Sequence, residues 1–284
     1  MKQSFIKDLA SIFKSRISII VFNLVKVSIV ARILGPEMNG TLAIIMVYPE
    51  LFIIAGSMGV RKSSAFLIAK KTESKETLYK SILQLWIFTS LLSVCISFFL
   101  LKYGSTIDLS EHIIIIAISP IIFSILNNYM SGIYLGENKM KEFNQINWIP
   151  SLVNLIFVSL FLFFFNLKIE GVLLAIVLSQ LTVSIILVKK IKILSYFSWN
   201  IDFKVIYKIL KYGMSFALAL LLLNLNYRLD IIMMDYLSTN FETGLYSKSV
   251  ALVQYLWQVP ALISILIFSR GASAKDSLQF SKKC

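Results

Sequence analysis

Four ionisable side chains sit inside long apolar runs of the sequence: Lys26, Glu50, Arg228 and Asp230. A Lys, Arg or Asp at the centre of a bilayer costs about 2.5–3.5 kcal/mol to insert, so such residues face a bundle interior or a wet cavity. Asn23, Asn224 and Asn226 add carboxamides to the same two runs as Lys26 and Arg228. Cations and amides at this depth suit an anionic group, such as a phosphate or diphosphate, passing through the membrane. Lys26, Arg228, Asp230, Asn23, Asn226 and Glu50 are therefore the candidate cavity residues. Snorkelling and structural pairing compete with that reading. Lys26 lies about 12 Å from the nearer end of its run at 1.5 Å per residue, too deep to snorkel without strain. Arg32, three residues before Gly35, reaches the interface readily. Glu50 follows Pro49, which frees a backbone carbonyl and permits a kink. It reads equally as a coupling-proton site or as a carboxylate kept neutral by burial.

Other chemistries lack their residues. The one histidine, His112, lies at the edge of an apolar run, Cys95 lies within one, and Cys284 is the last residue. No zinc-type spacing, disulfide or prenylation box follows from these, and no metal or cofactor is expected. The net charge of +13 does not indicate nucleic acid, because the basic residues lie in short segments between apolar runs rather than on one face with interleaved aromatics.

The elements that must carry these residues are membrane-spanning helices. Hydrophobic residues make up 57% of the 284, charged residues only 15%, too little charge for a soluble domain of this length. About eight runs are long enough to cross ~30 Å of hydrocarbon, at roughly 12–34, 41–60, 81–101, 113–135, 148–166, 170–188, 212–235 and 244–268. The fold class is thus an all-α polytopic membrane protein. The connectors read as cytoplasmic hold 22 of the 28 Lys and Arg residues, whereas the opposite ones hold only Lys102 and Lys168. Such asymmetry in short loops places both termini in the cytoplasm of a cell inner membrane. The basic, amphipathic connectors 61–80 and 189–211 are expected as interfacial segments on anionic headgroups.

An internal repeat organises the runs. Gly35-Pro36-Glu37-Met38-Asn39-Gly40 ends one helix and begins the next, and the stretch from Leu237 to Gly244 does the same. Placing Gly40 on Gly244 sets an offset of 204 and pairs the first helix with the seventh and the second with the eighth. Parallel repeats of six spans are a transporter pattern. The expected division is a six-helix lobe, 1–197, and a partial second lobe, 198–284, with an interfacial segment and two helices. The sequence stops where a third helix of that lobe is due, so a C-terminally truncated chain is expected, with assembly from two copies as the alternative. The offset also places Lys26 on Asp230, at equal depth, and the two are expected to face each other across the cleft between lobes.

The run Ala31-Arg32-Ile33-Leu34-Gly35-Pro36-Glu37-Met38-Asn39-Gly40 resembles the opening turn of the Wzx-type oligosaccharide and polysaccharide flippases, in the multidrug/oligosaccharidyl-lipid/polysaccharide exporter superfamily. Gly244-Leu245-Tyr246-Ser247 resembles the matching turn of the second lobe, followed by Val259-Pro260-Ala261-Leu262. Arg32, Gly35, Pro36, Gly40 and Gly244 are the positions that carry the motif. The resemblance implies two helical bundles around a cationic cavity. It also implies transfer of a polyprenyl-diphosphate-linked sugar unit across the membrane for O-antigen, capsule or lipopolysaccharide assembly. The partners implied are the lipid bilayer, the lipid-linked glycan and other polysaccharide-assembly membrane proteins, with no nucleic acid. Two other readings stand beside it. A multidrug or cation exporter of the same superfamily would carry acidic cavity residues. A membrane polymerase or ligase would need a sizeable external loop, and the loops on that side are among the shortest.

Overall fold

The computed structural model describes the backbone of residues 2–273 and the side chains of residues 13–258. Cys284, Lys275, Lys282 and Lys283 lie outside the described residues, as do the side chains of Lys2, Lys7, Pro260 and Arg270.

Helix α1 (Lys2–Ser57) is a hairpin of two helical arms joined at Gly35, whose φ of 69° and ψ of 175° leave the helical region. That φ is costly for a residue with a Cβ. Asn39 holds the bend closed: its Nδ2 lies 2.6 Å from the Gly35 carbonyl and 3.4 Å from that of Val30. On a straight helix, residues nine apart would be separated by about 13.5 Å. The chain therefore folds back, and the two arms become the first two spans.

Met58 (φ 42°) and Gly59 (φ 65°) turn the chain into α2 (Val60–Lys70). Then come α3 (Lys75–Tyr103), α4 (Glu111–Ile118) and α5 (Pro120–Gly136). Ser74 caps α3 by accepting a bond from the Thr77 amide at 3.1 Å. Pro120 occupies the first turn of α5, where its missing N–H is harmless. Short α6 (Met140–Ile146) leads into α7 (Ile149–Phe163), and α8 (Lys168–Ile191) ends in a 3₁₀ turn, Ile193–Tyr196. The last two helices are α9 (Phe203–Leu237) and α10 (Asn240–Ser273).

Among the described residues, six helical runs are long and apolar enough to cross a membrane. The first, Phe13–Lys70, contains the α1 hairpin, and α10 repeats the pattern, in keeping with the expected count. The chain is a multi-pass membrane protein, and its exposed side chains are those of one: Phe88, Leu91, Phe164 and Leu222 all point outward. Small residues let the helices approach closely. A Cβ on Gly132 of α5 would come within 2.7 Å of the Arg61 carbonyl of α2. Tyr129, fully buried, donates to the Gly56 carbonyl at 3.0 Å and so ties α5 to α1.

Two expected interfacial segments are structured differently. Helix α2 buries Val60, Ser63, Ser64 and Leu67 against α5 and α9, so its apolar face is used for helix packing. The second segment continues without a break, from Phe203 onward, into the span of α9. Asp202 caps it there, accepting from the Val205 amide at 3.2 Å.

The connectors sort to two ends. At the turn end, the α1 bend, the α3–α4 loop and the α9–α10 loop meet. Thr106 Oγ1 donates to the Asp235 carboxylate at 2.5 Å, and Tyr236 donates to the Gly104 carbonyl. At the basic end, Glu137 takes Lys75 at 2.5 Å and Lys139 at 2.8 Å, and Lys208 pairs with Glu73. Helices α9 and α10 pack mainly on α1 and only lightly on each other.

Candidate ligand chamber

The α1 hairpin brings Lys26 of the first arm and Glu50 of the second to the wall of one chamber of about 280 Å³. Helix α9 adds Arg228, and α10 adds Lys248 and Tyr255. Asn154 of α7 and Val172 of α8 also line the chamber. Arg228 Nη2 forms an ion pair with Glu50 Oε2, each side chain about one-third exposed, 33% and 32%. Neither Lys26 nor Lys248 has an ion-pair partner among the described residues. Three basic side chains thus face one carboxylate, and two of them have no ion-pair partner among the described residues, at a depth where an unpaired charge is costly.

The chamber lies one turn below a close helix crossing. A Cβ on Gly40 would stand 1.8 Å from the Asn240 carbonyl oxygen, and one on Gly244 would stand 1.8 Å from that of Pro36. Pro36 and Asn240 are 204 residues apart, as are Gly40 and Gly244. Each arm of the repeat therefore presents a glycine to the other's carbonyl, the reciprocal contact that a two-fold relation produces. Gly35 supplies the bend and Arg32 is exposed.

The other sequence candidates fall elsewhere. Asn23 donates to Ser151 Oγ at 3.4 Å. Asn226 is exposed, and Asn224 donates to its own Leu220 carbonyl at 2.8 Å. Asp230 does not face Lys26. It accepts from the Tyr246 hydroxyl and, at 2.9 Å, from the Ile231 amide. Equal depth fixes height along the membrane normal but not rotation about the helix. Residues two apart are turned by about 200°, so with Arg228 in the chamber Asp230 points away.

Sequence reasoning missed Lys248. It lies four residues after Gly244, close enough to a span end to pass for an interfacial lysine. The available signal was the polar sequence Lys248, Gln254, Tyr255 and Gln258, recurring on one side of an otherwise apolar helix. Asp235 was missed for the same reason, since it closes its span, yet only 6% of it is exposed.

Residues 29–280 match the family model described as polysaccharide biosynthesis protein. No curated protein matches the chain. Among solved structures, it is similar to a MOP superfamily transporter from Pyrococcus furiosus, described as having a binding pocket of reverse polarity that suggests a different function. That likeness has a TM-score of 0.64 at 18% identity and covers 95% of this chain and 62% of the other. A multidrug resistance MATE family transporter of the MOP superfamily is similar in its inward-facing conformation, with a TM-score of 0.61 at 19% identity over 92% of this chain and 64% of the other. An outward-facing multidrug resistance MATE family transporter of the MOP superfamily gives 0.61 at 16% identity over 95% of this chain and 63% of the other. The chain spans less than two thirds of the length of these transporters. The shared fold is that of the MOP transporters, and by its family match this chain belongs to the polysaccharide biosynthesis proteins.

Proposed function

We propose that the chamber between α1, α9 and α10 binds the diphosphate of a polyprenyl-diphosphate-linked oligosaccharide during its transfer across the cell inner membrane. The observation that carries this reading is the pair of lysines, Lys26 and Lys248, that have no ion-pair partner among the described residues, beside an Arg228–Glu50 pair that neutralises itself. A diphosphate esterified at both ends keeps one ionised oxygen on each phosphorus, two charges for two ammonium groups. Charge-assisted bonds of this type are the strong ones. The protein then acts as a flippase rather than an enzyme, with the bilayer and the lipid-linked glycan as partners. Residues 1–197 form its first lobe and 198–284 part of its second. The basic end faces the cytoplasm, because loops rich in Lys and Arg are retained there. A drug or cation exporter fits less well, since the one chamber carboxylate is already engaged by Arg228.

The test is binding of a polyprenyl diphosphate to the purified protein in nanodiscs. Lys26→Ala and Lys248→Ala should each weaken binding about tenfold or more, while the Arg replacements keep most of it. Unchanged binding by the double Ala variant would overturn the assignment. For orientation, a cysteine at Asp108 in intact cells should react with an impermeant thiol reagent; protection there with reaction at Lys139→Cys would reverse the threading.

A further inference from the structure

A recess of about 270 Å³ opens beside the chamber, and its walls have a different chemistry. It is lined by Asn224, Tyr227 and Arg228 of α9 and by Gln254, Trp257 and Gln258 of α10. Tyr227, Arg228, Gln254 and Gln258 also line the chamber, so the two spaces adjoin along that edge. Lys26 and Lys248 belong to the chamber alone. Arg228, already paired with Glu50, is the single ionisable group of the recess with a permanent charge.

Three carboxamides are an unusual wall for a membrane-spanning helix pair, since each polar group needs partners that lipid does not provide. Among the described residues, neither Gln254 nor Gln258 has a hydrogen-bond partner, and Asn224 uses its amide only on the Leu220 carbonyl one turn back. Gln254 and Gln258 are four apart, and Asn224 and Arg228 are four apart, so each helix turns one polar stripe to the recess. Trp257, 66% exposed, and Tyr227 add flat apolar faces to it.

We propose that this recess is the subsite for the sugar joined to the diphosphate, and that it selects an uncharged sugar. This inference rests on the reading of the chamber as a diphosphate site. A carboxamide offers a donor and an acceptor side by side, which matches neighbouring hydroxyls on a sugar ring. The ring's C–H face is apolar and packs on an indole or phenol. An acidic sugar would need a free cation here and a basic one a free carboxylate, and the described residues of the recess present neither. Arg228, shared by both spaces, marks where the diphosphate ends and the sugar begins. Gln254, Gln258 and Trp257 are thereby specificity-determining residues.

The experiment compares three probes on the protein in nanodiscs: a bare polyprenyl diphosphate, one bearing a single neutral N-acetylhexosamine, and one bearing a hexuronic acid. The neutral sugar should tighten binding about tenfold over the bare probe, and the uronic acid should not. Asn224→Ala and Trp257→Ala, at residues that line the recess and not the chamber, should erase that advantage and leave the bare probe within about twofold, with Trp257→Phe intermediate. Trp257 packs little of its surface, so its replacement leaves folding intact, which monodisperse elution checks. Equal weakening of bare and sugar-bearing probes by the recess variants, no gain from the neutral sugar, or tighter binding of the uronic acid would each overturn the subsite. If the bare probe fails to bind while the neutral sugar still confers a gain that the recess variants remove, the diphosphate reading falls and this one stands.

Discussion

The two ends of the molecule are tied together by different physical means. At the turn end the contact is backbone on backbone: Gly40 beneath the Asn240 carbonyl, Gly244 beneath that of Pro36, and a buried Asp235 bonded to Thr106. At the basic end Gly59 does approach Gly213 closely, a Cβ there lying 2.1 Å from the Gly213 oxygen. Around that approach, however, the ties are ionic: Lys208 to Glu73, and Lys75 and Lys139 to Glu137. One end is therefore governed by side-chain volume and the other largely by pH and salt. The chamber lies between an end that closes by fit and an end that closes by charge.

The largest effect should come from volume at the turn end. Gly40→Ala and Gly244→Ala each drive a methyl group into a carbonyl that neither helix can withdraw easily, at about 3 kcal/mol or more. Because the contact is reciprocal, the two losses should be similar, and the double variant should cost much less than their sum. Reversible unfolding in mixed micelles measures all three; additive losses would mean two independent contacts rather than one crossing. Asp235→Asn keeps the shape but removes the charge from the bond to Thr106, and should cost about 1–2 kcal/mol in the same assay.

How much of this was legible in the sequence depends on what kind of information each feature needs. The spans and the Gly35 turn follow from apolar run length and from the Gly-Pro pair, both local. The pairing of Gly40 with Gly244, which set the offset of 204, falls where the helices cross. The partner of Asp230 was not legible, because rotation about a helix axis is set by packing and a repeat offset carries only height. Tyr246, its actual partner, lies on a helix whose face toward α9 no local pattern reveals. Asp235 and Lys248 escaped because hydropathy blurs the ends of spans, where a charge looks inexpensive whether or not the folded chain buries it.

At the basic end the sharper probe is pH. Burial pushes the Glu137 carboxyl up, but Lys139, Lys75 and the Tyr79 hydroxyl outweigh it and hold it down at about 2. A depressed value means that this group stabilises the fold fully above its unfolded pKa of about 4.3 and ceases to do so as pH falls toward 2. Glu137→Gln should flatten the stability profile across that window, whereas Gly40→Ala should shift it uniformly; a slope that persists in Glu137→Gln would assign it to another carboxylate. The smallest effect belongs to Lys208→Ala. Glu73 holds the ammonium proton more firmly than usual, yet both side chains keep contact with water, so the loss should be visible mainly at low ionic strength and shrink in high salt.

The bend at Gly35 also bears on how the chain enters the membrane while it is being made. Because the first two spans fold onto each other, Lys26 and Glu50 leave the insertion machinery as one hairpin carrying opposite charges to the same wall. Arg228 is synthesised far later, and when α9 docks it engages Glu50 in the finished fold. The carboxylate on the second arm of the hairpin is thus engaged from a helix made far later, while Lys26 of the first arm has no ion-pair partner among the described residues.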